Sequence, residues 1–156
     1  MKKHRTWKKY DTTTYSIEIL DWDVSYSIQL TGDMKDTSWP FWEHARLTIK
    51  GKFLAPDKLA GRSIDVILLG SRNIIYVLEH PQETVQEPKA IGGLTVRGKQ
   101  TEYLGSVPQD MFQTLCFLIS EGKIKVLEVT GKALYRGSAD ISSISFEKEY
   151  KPEPED

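Results

Sequence analysis

Cysteine is almost absent from this 156-residue chain, Cys116 being the single one. That excludes an intrachain disulfide and any metal site built on several thiolates. No run of about 18 apolar residues occurs, so no segment has the composition of a membrane-spanning helix. Net charge is −1 and the sequence pI is about 6.3, so no global excess favours nucleic acid or a lipid surface. The opening "MKKHRTWKKY" is basic but lacks the apolar stretch of a secretory signal, so cytoplasmic residence is the expectation.

Chemical motifs are equally scarce. His4, His44 and His80 stand far apart and form neither an HxH nor an HExxH pattern. No P-loop, G-x-S-x-G or G-x-G-x-x-G element is present. Asp21, Asp23, Asp33 and Asp36 lack EF-hand spacing and read as solvated turn acids. Cys116 sits between Leu115 and Phe117, where a small buried hydrophobe is expected rather than a nucleophile. No metal, no cofactor and no catalytic residue is therefore expected.

What is present is a globular composition. Hydrophobic residues at 39% and charged residues at 28% suit one folded domain, and the length suffices to bury a core without metals or disulfides. The expectation is a single domain over residues 1–156. A basic arm covers about 1–10 and a solvated acidic tail, "KPEPED", covers about 151–156.

Period-two alternation dominates. In "WDVSYSIQL", Trp22, Val24, Tyr26, Ile28 and Leu30 alternate with polar residues. Upstream, Tyr15, Ile17 and Ile19 alternate in the opposite phase, so a β-bulge or a turn is expected near Leu20–Asp21. "TGDMKDTSWPFW" reads as a loop, and "EHARLTIKGKF" as a strand with Ala45, Leu47, Ile49, Gly51 and Phe53 in phase. "APDKLAG" reads as one helical turn closed by Gly61. "RSIDVILLG", apolar on both faces, reads as a central strand, and "NIIYVLEH" as another. "IGGLTVRGKQTEYLGSV" reads as one long strand bulged near Gly98.

One helix is expected, at about 108–121. Pro108 opens it, Gly122 closes it, and Met111, Phe112, Leu115, Leu118 and Ile119 form an apolar stripe for the sheet. "KIKVLEVTG", "ALYRG" and "DISSISFEKEY" then read as three short strands. The hexamer "LTIKGK" at 47–52 recurs as "LTVRGK" at 94–99, each followed by a proline-opened helical element, a glycine and an apolar strand. That order suggests an internal strand–helix–strand duplication. The fold class expected is mainly β: an antiparallel β-sandwich or flattened barrel of about eight to ten strands with one docked amphipathic helix.

Two surfaces are candidate sites. Trp39, Trp42, His44 and Arg46 place an aromatic loop beside a polar strand face that could stack a sugar ring, a base or a proline-rich peptide. The plainer alternative is that the tryptophans plug the core. Lys50 and Lys52 in one hexamer and Arg97 and Lys99 in the other, joined by Arg46, would form an anion-binding ridge if their strands were neighbours. The plainer alternative is a strand face kept soluble by lysines. The function expected is a non-enzymatic binding or interaction module, taking a protein or a small ligand at the aromatic loop. The alternatives are an enzyme with a β-scaffold pocket, and a weak binder of nucleic acid or another anion through the basic face.

Overall fold

A computed structural model describes residues 12–30, 41–72, 74, 79 and 90–152. Among the described residues, the elements with both ends described are seven strands and a helix, in the order β1 (Thr12–Leu30), β2 (Phe41–Ala55), β3 (Ser63–Ser71), β4 (Gly92–Arg97), β5 (Gln100–Pro108), α1 (Gln109–Ser120), β6 (Val126–Lys132) and β7 (Ser138–Glu147). The strands form one sheet in the order β1-β2-β3-β5-β4-β7-β6, and β6 pairs with β1 to close it. Closure removes free edges over the paired part of the sheet, Thr12–Glu18 on β1, while β1 continues beyond its pairing with β6.

The phase change near Leu20 is a bulge. β1 runs unbroken from Thr12 to Leu30, and its pairing with β2 steps from Ile19↔Gly51 to Asp21↔Lys50, leaving Leu20 without a partner. An inserted residue turns the following side chains over. Tyr15 and Ile17 thus enter the core from the first half, and the even-numbered residues take the inner side in the second. β2 keeps one phase throughout, with Ala45, Leu47, Ile49, Gly51 and Phe53 all buried. Gly51 is required there: a Cβ would lie 2.6 Å from both the Glu18 carbonyl and Ile17 Cγ2.

Several elements differ from the sequence-based expectation. The sheet is mixed, because β3 pairs parallel with β5, Val66 opposite Tyr103. Residues 72–99 separate the two strands, enough chain for the return that parallel neighbours need. The single bulged strand expected over 91–107 is a hairpin. Arg97 faces Gln100 across Gly98–Lys99, and only Gly98 of that pair has positive φ, 55°, the pattern of a type II′ turn. "ALYRG" is a turn and not a strand. Arg136 and Gly137 have φ of 51° and 78°, as a type I′ turn requires, and Tyr135 bridges Ser138. In "NIIYVLEH", Ile74 and Glu79 have helical backbone where a strand was expected, and the rest of that segment lies outside the described residues.

The hexamers do not occupy matching places. LTIKGK is strand through Lys52, and the strand after it, β3, is its direct neighbour. LTVRGK leaves the sheet after Arg97, and the strand after its helix, β6, pairs with β1 and β7 but not with β4. The pairing therefore does not reproduce the strand–helix–strand duplication.

The core is filled from all seven strands and from α1, with Tyr15, Ile17, Leu47, Phe53, Val66, Leu68, Leu94, Tyr103, Leu127, Val129 and Ile141 among its most buried members. The helix contributes Phe112, Leu115 and Ile119, while Met111 faces solvent. Tyr103 fills an unusual place. Gly92 and Gly105 are cross-strand partners, and the Tyr103 phenol occupies the space their missing side chains leave. Its hydroxyl is buried and makes no hydrogen bond to the described residues, and burial pushes its pKa up to about 12.

Two outcomes are expected. Leu115→Asp buries a charge on the helix stripe and should cost about 3–5 kcal/mol, a large part of a domain's stability, whereas exposed Phe117→Asp should leave the melting temperature nearly unchanged. Tyr103→Phe removes a buried hydroxyl that makes no hydrogen bond to the described residues, so denaturant unfolding should show equal or higher stability, by up to about 1 kcal/mol.

Candidate functional site

β1 pairs with β6 only as far as Glu18, and β2 pairs with β3 only from Arg46 onward. Tyr26–Leu30 and Phe41–Ala45 therefore pair with each other alone among the described residues, as a two-stranded ribbon running past the closed sheet. The candidate aromatic residues lie on this ribbon and just below it. Trp39 falls outside the described residues.

Cross-strand partners share a face of a sheet, so the register sorts the ribbon into two surfaces. On the outer face Gln29 lies opposite Trp42, Ser27 opposite His44 and Ser25 opposite Arg46. Trp42 is 57% exposed and stacks on His44, ring centroids 6.1 Å apart and planes 12° from parallel. Arg46 is exposed and its Nε donates to Thr48 Oγ1 at 3.3 Å. Trp42, His44 and Arg46 thus form one row.

The same row continues down β2 to Lys50 and Lys52, and there its electrostatics change. Lys50 lies between Asp21 of β1 and Asp65 of β3, and its Nζ is 3.0 Å from Asp65 Oδ1. Lys52 lies opposite Glu18. Opposite charges facing across strands offset one another. His44 and Arg46 face serines on β1, with no acid opposite, so their donors are not engaged by a cross-strand carboxylate. Arg97 and Lys99 sit elsewhere: β3 and β5 separate β2 from β4, about 14 Å at ordinary strand spacing. Arg97 Nη2 donates to Ser138 Oγ at 3.2 Å. The structure therefore joins Lys50 and Lys52 to the aromatic row and does not join them to Arg97 and Lys99.

The inner face of the ribbon carries a group that the sequence pattern did not single out. Tyr26, Ile28 and Leu30 lie opposite Ala45, Glu43 and Phe41. The Tyr26 hydroxyl donates to Glu43 Oε2 at 2.5 Å, and Arg72 Nε donates to Glu43 Oε1 at 3.0 Å. The Arg72 guanidinium first, and the Tyr26 hydroxyl second, hold the Glu43 carboxyl below its usual range. The hydrogen bond to Glu43 raises Tyr26. Glu43 and Arg72 are 29 residues apart in sequence, so only the pairing of β2 with β3 brings them together.

Among the described residues no group of three His, Cys, Asp or Glu side chains could hold a metal ion, and no helix is long and apolar enough to cross a membrane. Neither a protein-family model, nor a curated protein, nor a solved structure matches the chain.

The Tyr26–Glu43–Arg72 contacts have a defined pH window. Glu43 is depressed, so its contribution is present above its unfolded-state pKa and is lost as pH falls through the folded value. Tyr26 is raised, so its contribution is present below its unfolded-state pKa and is lost as pH rises through the folded value. Carboxyl-carbon NMR titration should show Glu43 below a free glutamate, and Arg72→Gln should move it back up.

Proposed function

We propose that this chain is a non-enzymatic interaction module, and that the outer face of the β1–β2 ribbon is where it meets a partner. The observation that carries this reading is the row of Trp42, stacked on His44, and Arg46 on a ribbon clear of the closed sheet, with no carboxylate opposite on β1. Aromatic and arginine side chains supply much of the energy of protein interfaces once a partner buries them. Left in water, a large indole on a flat surface is a solubility liability. The exposure of Trp42 supports the binding role over a core-sealing one.

The shape favours a protein partner over a small ligand. Small-molecule sites enclose most of their ligand in a concave pocket. A two-stranded ribbon instead presents a narrow strip, suited to lie along a groove or an extended segment of another chain. A row of indole, imidazole and guanidinium matches a partner surface that offers aromatic or proline rings beside carboxylates.

Trp42→Ala tests the assignment. The side chain is exposed, so the melting temperature should stay within about 1 kcal/mol of native stability. Recovery of co-purifying partners should fall, and Arg46→Ala should lower it as well, while Lys52→Ala, further down the row, should not. A loss of about 3–5 kcal/mol in Trp42→Ala would instead mark a buried core role.

A further inference from the structure

The unprotected part of the ribbon's edge supports an inference that does not depend on the aromatic row. β1 has two sides, one paired with β2 along its second half and the other free from Leu20 onward among the described residues. The Ile19 N–H is the last to reach the β6 side, donating to the Lys125 carbonyl at 2.9 Å. After the bulge, the outward groups are those of the even-numbered residues. The Trp22 and Val24 N–H groups show this, since each donates at 2.9 Å to the carboxylate of the residue before it, Asp21 and Asp23.

Those two aspartates shield the edge, as charged side chains commonly do on strands that must not pair further. The shielding stops at Val24. By strand alternation the N–H and C=O groups of Tyr26, Ile28 and Leu30 point the same way, and the residues preceding them are Ser25, Ser27 and Gln29. This stretch has no charge, no proline and no bulge. Its side chains are also apolar and uncovered: Tyr26 and Ile28 are 56% exposed, Leu30 70% and Phe41 46%.

We infer that a second copy of the chain pairs antiparallel with β1 over Tyr26–Leu30, about a two-fold axis at Ile28. The pattern is self-complementary in this register. Ile28 faces Ile28, Tyr26 faces Leu30, and Ser27 faces Gln29, so apolar meets apolar and polar meets polar. An isologous contact requires this of a single patch. Since the outward groups belong to the even residues, Ile28 meets its copy as a hydrogen-bonded pair, and three such pairs give about six backbone hydrogen bonds. Asp21 and Asp23 lie outside the paired segment. Glu43, opposite Ile28 on β2, is already paired with Arg72 and hydrogen-bonded by Tyr26, so no unpaired charge sits near the axis.

The area sets the strength. Pairing along β1 can cover at most the exposed parts of Tyr26, Ile28 and Leu30, about 350 Å² per copy, or about 700 Å² for two. A specific and stable interface usually exceeds about 1,000 Å². The pair is accordingly reversible, forming as concentration rises.

Sedimentation of the full chain from low to high micromolar concentration tests this. The wild type should shift from monomer toward dimer. Ile28→Pro removes an N–H that points away from β2, so the fold should keep its melting temperature while the dimer weakens at least about tenfold. Leu30→Lys, at a 70% exposed position, should do the same by bringing charge into the pair, and Ile28→Val should dimerise like the wild type. Trp42→Ala, on the opposite face, should also dimerise normally, which separates this result from the partner reading. A wild type that stays monomeric at every concentration would overturn the inference. So would a dimer that survives both Ile28→Pro and Leu30→Lys, or one lost with Trp42→Ala.

Discussion

One unpaired residue, Leu20, sets the geometry of everything on β1. Without it, a strand that puts Tyr15 and Ile17 inside the closed sheet would carry Trp22, Val24, Tyr26, Ile28 and Leu30 to the outside. With it, the strand keeps an apolar inner face along its whole length, first buried in the core and then continued along the ribbon. The same inversion sends the outward backbone groups to the even-numbered residues. Asp21 and Asp23 are then placed to shield Trp22 and Val24, and the edge beyond them stays open. A bulge that re-aims side chains near a functional surface is a recurrent use of that irregularity.

The ribbon that results has two unlike faces. Its outer face aligns Trp42, His44 and Arg46 and then passes into lysines balanced by Asp21, Asp65 and Glu18. Its inner face is apolar apart from Glu43, whose charge is held by Arg72 and Tyr26. The closed sheet below anchors both strands, β1 against β6 and β2 against β3, so the ribbon extends from a rigid base. Gly51 lets β1 and β2 approach closely at that base, beside the bulge.

Much of this was legible in residue order. The alternation in β2 identified Ala45, Leu47, Ile49, Gly51 and Phe53 as one buried face, and the phase conflict around Leu20 marked a place for a bulge or a turn, of which the bulge is found. The proline–glycine bracket and apolar stripe marked the helix within a residue of Gln109–Ser120 at each end. Errors came where glycine chemistry had two solutions. "VRGKQ" fits a bulged strand or a two-residue hairpin, and "LYRGS" fits a short strand or a type I′ turn. In both places the turn won, because each gives a pair of strands a partner.

The sequence by itself determined which residues are apolar at period two, where a helix fits, and that Trp42, His44 and Arg46 share a face, because these are local properties of a repeating backbone. It also excluded a multi-thiolate site and an apolar helical span. Strand order was decided only in the tertiary structure. The parallel pairing of β3 with β5, the closure through β6, and the separation of Lys50 and Lys52 from Arg97 and Lys99 depend on which distant segments meet. The contact of Arg72 with Glu43 has the same origin, and so does the end of the β6 pairing that leaves Tyr26–Leu30 open. Local periodicity carries no information about partners far along the chain, since every strand with a matching face satisfies it equally well.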